Sequence, residues 1–291
     1  MCSFVNSNKF ADRLKNLKME DRNGLREAFF FSAITLGLSF LVFWGPLAFL
    51  QIPAISFVRG VRGPLWAVVL FLLGGFAPTV VAIVFTGIFE GKTGLRSLFR
   101  RAVQFRIGFR WYGAIVLIVF LGTAGKLVVH SLCGGRFDFS LFLVQLPSFV
   151  PLLVAGPISE EFGWRGYLLS KLQQRWSALH SSMFVGLVWG FWHLPLFYIV
   201  GTSQHELHLP FIGFLVSLVA VSIIMTWLNN NTSGSIWTAV LFHWLHTYSS
   251  QVVSTGVTRS TAYDWLEYSP YILLALIVVL IWKPGKKPVQ E

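Results

Sequence analysis

The stretch ISEEFGWRGYLL, residues 158–169, sets two adjacent carboxylates and an arginine in a chain that is otherwise strongly apolar. Every other acidic residue falls in a predicted tail or loop or, like Glu90, at the end of a span, which leaves Glu160 and Glu161 inside the membrane. An ionisable group there costs roughly 2.5 kcal/mol or more and points to function by default. Glu161 and Arg165 are four residues apart, so on a helix they share a face and can pair. Glu160 lies about 100° further round and can address a different space. Crowded carboxylates tend to hold one proton between them, and an adjacent arginine keeps its partner charged. One arrangement is therefore Glu161 held by Arg165 with Glu160 available as a general base; the reverse is equally compatible with the spacing.

Histidines supply the next candidates. VWGFWHLPLFY carries His193, and AVLFHWLHTYSS carries His243 and His246. Two glutamates and two histidines are what water activation asks for, either around a zinc ion or without metal, a glutamate then serving as base and the histidines as oxyanion donors. His246, three residues beyond His243, sits on a similar helical face and can replace or support it. HELH at 205–208 lacks the spacing of H-E-x-x-H and reads as loop.

These residues need helices to hold them. The chain has 291 residues, 55% hydrophobic and 12% charged, against about 25% charged in a soluble domain. Apolar stretches centre on 28–50, 64–89, 111–133, 141–158, 179–200, 210–228, 235–254 and 270–282. They predict an all-α polytopic membrane protein with about eight transmembrane helices. The net charge of +11 is spread over membrane edges, in 9–26, 92–110, 171–175 and 283–287, while alternate loops hold few basic residues. That bias places both termini in the cytoplasm of a multi-pass protein and leaves nothing that asks for nucleic acid. Residues 1–24 read as a basic cytoplasmic tail, 25–283 as the membrane domain with its motifs in 155–250, and 284–291 as a cytoplasmic tail. GGFAPTVVAIV (74–84) suits close helix approach or a kink around Pro78, and the loop of 91–112 alternates basic and apolar residues like an interfacial helix. Cys2 and Cys133 fall on opposite faces and form no motif.

Depth follows from helix rise. Glu160 lies roughly 21 Å from a helix end near 174, His193 a similar distance from a start near 179, and His243 roughly 12 Å from a start near 235. The three can share one intramembrane cavity, expected to open to the cytoplasm.

EEFGWR, the His193 segment and the His243 segment together resemble the CPBP family, which groups type II CAAX prenyl endopeptidases with bacteriocin-processing and immunity proteins. The family pattern is E-E-x-x-x-R, then F-x-x-x-H, then H-x-x-x-N or D on separate helices. Glu160, Glu161 and Arg165 match the first part fully. Trp189 stands where Phe is usual before His193, and Thr247 stands at the Asn/Asp position after His243. The resemblance implies that Glu160 activates water with help from His193, that His243 stabilises the oxyanion or binds metal, and that Glu161 and Arg165 orient the site. Glu160, His193 and His243 are then the candidate ligands of a zinc ion, if the chemistry uses one. The implied substrate is a membrane-associated peptide or protein in the bilayer, and brevity suggests a bacterial origin with a non-prenylated substrate. Two other readings stand beside this one: an inactive immunity or scaffold protein, kept open by Thr247, and a proton-coupled transporter using the two glutamates, for which Lys126 in the third span is the obvious further polar residue.

Overall fold

The computed structural model describes residues 24–53, 63–138, 140–256 and 260–282. The expected tails, 1–24 and 284–291, fall outside the described residues apart from Gly24. Among the described residues, five helices are long and apolar enough to cross a membrane: Gly24–Phe49 (α1), Leu65–Phe89 (α2), Phe109–Leu132 (α4), Phe211–Asn231 (α7) and Thr261–Ile281 (α9). They coincide with the first, second, third, sixth and eighth expected spans. Between α2 and α4 runs the amphipathic helix Gly91–Ala102 (α3), which buries Leu98 and ends on Arg100 and Arg101, where cations suit the helix dipole.

The three remaining expected spans are helical too, and they carry the polar motifs. Residues 149–172 form one rod (α5) in which α-helical turns alternate with π-helical turns at Val154–Ile158 and Phe162–Leu168. It runs past the apolar stretch to Leu172, close to the expected helix end near 174. Pro157 lies in the first π segment; proline has no N–H to donate and clashes with the carbonyl four residues back, so the turn there widens. Ala178–Trp192 (α6) is shorter than the 179–200 stretch because His193 and the following Leu-Pro turn the chain into a 3-10 segment, Leu194–Phe197. Ile236–Gly256 (α8) follows the tight turn after α7.

Small residues decide how closely these rods pack. Gly163 in α5 lies against α2, where an added Cβ would come within 2.6 Å of both the Cβ and the carbonyl oxygen of Pro78. The Pro78 region of α2 thus serves the close approach that its small residues anticipate. Gly186 performs the same service between α6 and α7, with the Val219 Cα 2.6 Å from a would-be Cβ.

One end of the bundle is tied by basic residues. The Lys171 ammonium pairs with Glu27 at 2.6 Å and Glu90 at 2.8 Å. Arg101 donates from Nε to the Gly234 carbonyl at 3.0 Å and from Nη2 to the carbonyls of Arg165 and Gly166 at 3.1 Å each. Those two carbonyls lie in the second π segment, so Arg101 satisfies polar groups of the widened turn from outside the helix.

A cavity of about 310 Å³ lies toward the other end. Its lining comes from residues 71–76 of α2, Lys126 of α4, 152–160 of α5, 189–193 of α6, 214–221 of α7 and 243–251 of α8, together with the 201–209 segment. In each helix these positions run from the middle to the end remote from the basic loops. The lining positions put the cavity in the half of the bundle remote from the basic loops. The depth estimates placed the motif residues near mid-membrane, which left the direction of opening to be set by which ends the packed helices close.

Because the Gly163 contact involves α2 backbone, Gly163→Ala should destabilise the protein by about 1–3 kcal/mol. Detergent-denaturation curves of the two proteins measure this, and coincident midpoints would refute the tight α2–α5 contact.

Candidate active site

Glu161 is completely buried, and so is Arg165. Arg165 donates from Nη1 to both carboxylate oxygens, at 2.9 and 3.1 Å, the pairing that the four-residue spacing anticipates. His243 Nδ1 lies 2.8 Å from Glu161 Oε1. A carboxylate can only accept from it, so Nδ1 carries the proton and Nε2 is the ring nitrogen left for the cavity. Glu161 therefore holds a cation on one side and orients an imidazole on the other.

Glu160 points elsewhere. It lines the cavity, and its Oε2 accepts from the indole N–H of Trp189 at 2.6 Å and of Trp164 at 3.2 Å. Gly156, one turn earlier, leaves the other oxygen room, since even an added Cβ would stay 3.9 Å from Oε1. The two neighbouring carboxylates thus have different partners: a guanidinium and an imidazole for Glu161, and two neutral indoles for Glu160.

His193 closes the α6 helix. Its Nδ1 donates to the Trp189 carbonyl at 2.8 Å, which again leaves Nε2 as the second ring nitrogen. The ring stands edge-on to Trp192 and Phe214, with centroids at 4.8 and 5.3 Å. Trp192 is itself fixed by a 2.7 Å bond from its indole to Ser39 Oγ. His246 and Thr247 also line the cavity, His246 stacked on Phe242 and edge-on to Tyr271 at 4.4 Å. Of the HELH residues, His205 pairs with Glu206 in a short helix, and neither histidine of that run lines the cavity.

Trp189 is the residue that joins the motifs. Its indole N–H holds Glu160, its carbonyl holds His193, its ring lies under the Arg165 guanidinium at 4.6 Å, and His243 stands edge-on to it at 5.1 Å. Sequence reading passed over it as an aromatic replacing a usual Phe. A Phe could pack at that place, but it has no N–H for Glu160. The available signal was its position four residues before His193, hence on the same helical face.

The donor set was also tested as a metal site. Both histidines present Nε2 with Nδ1 held by an oxygen, as metal-ligating histidines do. Yet Glu160 spends one oxygen on two indoles, and among the described residues no three His, Cys, Asp or Glu side chains lie close enough together to hold an ion. The expected trio Glu160, His193 and His243 is not gathered as a ligand set in this arrangement.

Residues 142–249 match the family described as Type II CAAX prenyl endopeptidase Rce1-like. The region that carries the site is thus similar to that family. The Rce1-like match covers α5 through most of α8 and so contains every motif residue. A curated relative, CAAX prenyl protease 2 of Methanococcus maripaludis, is 31% identical over 152 residues, which cover 50% of this chain and 55% of the relative. The chain thus spans about half the length of the relative it matches.

The buried pair of the Rce1-like motif has an energetic signature. Glu161→Ala strands a buried guanidinium and should cost about 3–5 kcal/mol, whereas replacing both partners, as in Glu161→Leu with Arg165→Met, should recover most of that loss. Unfolding free energies of the three proteins test this, and a double variant as unstable as Glu161→Ala would contradict it.

Proposed function

We propose that this chain is an intramembrane endopeptidase that hydrolyses a peptide bond of a membrane-associated substrate with water activated by Glu160. The observation that carries the reading is the division of labour between the two glutamates. Glu161 is saturated by Arg165 and His243, while Glu160 lines the cavity with an oxygen to spare. The Rce1-like match and the relative's name support the same reaction class.

In this mechanism Glu160 removes a proton from a water in the cavity, and His193 Nε2 orients that water by accepting its other hydrogen. The resulting hydroxide adds to the carbonyl carbon of the scissile peptide. His243, oriented by its Nδ1 contact with Glu161, faces the developing oxyanion with Nε2, which donates to it when that nitrogen carries a proton. Glu160 then gives its proton to the leaving nitrogen, the C–N bond breaks, and a carboxylic acid and an amine leave, the acid passing its proton to the amine in water. The two indoles keep Glu160 in one rotamer throughout, which favours a fixed attack geometry. Thr247 can donate or accept among the cavity-lining side chains. Glu160, His193 and His243 are not gathered as a ligand set among the described residues.

Wild-type protein in detergent should cleave members of an internally quenched peptide library. Glu160→Gln should lower the rate by about 10²–10⁴-fold, the usual worth of a general base. Trp189→Phe, which loses the Glu160 clamp but keeps the ring, should lower kcat while leaving KM close to wild type. Cleavage that survives Glu160→Gln at full rate would sink the mechanism, and inactivation by chelators, reversed by zinc, would move the water onto a metal.

The facing of the site follows from the basic loops. With positive residues cytoplasmic, the cavity opens to the opposite side, and the substrate is a peptide presented at the outer face of the membrane. This arrangement also argues against a proton-coupled transporter, since the polar lining does not run through to the basic-loop end. In intact cells a membrane-impermeant thiol reagent should label Gln204→Cys, in the cavity-lining segment, and spare Arg96→Cys in α3. The converse pattern would reverse the orientation.

A further inference from the structure

The face of α3 turned away from the bundle takes no part in the chemistry above. Lys92, Arg96 and Arg100 recur at every fourth residue of that helix, so they share one stripe. Phe99 and, at the helix end, Val103 lie on the same stripe, and all five residues are exposed. Like charges four residues apart repel one another, and α3 contains no carboxylate that would offset them. Among the described residues the carboxylates at this end of the bundle, Glu27 and Glu90, both pair with Lys171.

The local backbone fixes where this face looks. The chain leaves α2 at Gly91, φ +64°, and enters α4 at Gly108, φ +84°, both in the left-handed region that glycine tolerates. With an apolar span on either side, α3 stays at the membrane surface. Its other face is anchored: Leu98 is buried with Ile236 and Val240 of α8. Arg101 adds its bonds to the carbonyls of Gly234, Arg165 and Gly166. The two adjacent arginines therefore divide their tasks. Arg101 holds the helix inward, and Arg100, about 100° round, is left outside. A helix fixed in this way presents its cations with little further ordering to be done.

We infer that the exposed face of α3 is a docking site for the phosphates of anionic phospholipids in the leaflet on the basic-loop side. Three cations spread over roughly 12 Å of helix meet the negative headgroups. Phe99 and Val103 enter the boundary with the acyl chains, and the methylene stems of the lysine and arginines lie along it. A lipid rather than a soluble anion is the ligand because apolar residues share the stripe with the cations. Nothing in this docking requires peptide cleavage, so it stands apart from the proposed function.

The full chain in dodecyl maltoside micelles is titrated with dioleoyl phosphatidylglycerol or dioleoyl phosphatidylcholine while its thermal midpoint is followed. Phosphatidylglycerol should raise the midpoint with dose, as a ligand of the folded state does, and phosphatidylcholine should not. Combining Lys92→Gln, Arg96→Gln and Arg100→Gln should weaken phosphatidylglycerol binding on the order of 100-fold, from about fivefold per cation at an anionic surface. Arg26→Gln with Arg175→Gln removes two exposed arginines outside α3 and should keep the response. In wild type the shift should also fade as salt is raised, a readout that holds even where the triple variant does not fold. Equal shifts from the two lipids overturn the docking site, and so does a full response in the triple variant or at high salt. Loss of the response in the Arg26 and Arg175 variant would reduce it to overall charge, and an equal shift from glycerol 3-phosphate would replace the lipid by a free phosphate; either result overturns it too.

Discussion

The structure depends on one triad of buried charge, Arg165 bonded to Glu161 bonded to His243. Taking a carboxylate and a guanidinium out of water costs several kcal/mol for each ion, and their attraction offsets this only when geometry is good and remaining valences are filled. Here Arg165 reaches both carboxylate oxygens, and His243 takes a further position on one of them. The Trp189 ring lies under the guanidinium and gives the cation an electron-rich face. Because Glu161 and Arg165 belong to α5, His243 to α8 and Trp189 to α6, the triad also sets how these three helices meet. Displacing any one of them would expose a charge in a place without water.

Adjacent glutamates acquire opposite roles because a helix turns about 100° between them. Glu161 faces the α8 side and is committed to ions. Glu160 faces the cavity, where its recorded partners are the neutral N–H groups of Trp164 and Trp189. Indoles can hold a carboxylate without neutralising it, so Glu160 keeps its ability to take a proton. The π-helical turns on either side of Ser159–Glu161 belong to the same solution. They change the phase of the helix locally, and Arg101 reaches in from α3 to bond the carbonyls that the second turn presents.

Much of this was legible in the residues. The pair of Glu161 with Arg165 follows from spacing, the separate direction of Glu160 from helical phase, and the five most apolar helices from composition. The amphipathic α3 and the close packing around Pro78 also had local signals. What the chain order concealed was mostly interhelical. Trp189 looked like a substituted packing residue because an aromatic at that place satisfies helix packing whatever its partner; its indole gains meaning only when α5 stands beside it. The continuation of α5 past residue 158 was expected, but the π-helical turns on either side of Ser159–Glu161 had no signal in the apolar pattern. Depth could be estimated from helix rise, but the side on which a cavity opens depends on which helix ends are tied together, and that end is closed by Lys171, Glu27, Glu90 and Arg101 across four separate segments.

The same division explains why the site-bearing helices are the least typical spans. α1, α2, α4, α7 and α9 meet the lipid with apolar faces and qualify as spans on length and composition. α5, α6 and α8 carry the glutamates, histidines and arginine, and α6 stops at His193 to place its ring beside Trp189 rather than continuing across. A polar site of this kind cannot sit on the lipid face, because no solvent there would satisfy it. It has to be enclosed by helices that are predominantly apolar, and their apolar outer faces are the condition under which a carboxylate such as Glu160 meets water through the cavity. The strong hydropathy of one set of helices and the broken hydropathy of the other are two consequences of keeping a water-accessible carboxylate inside a bilayer.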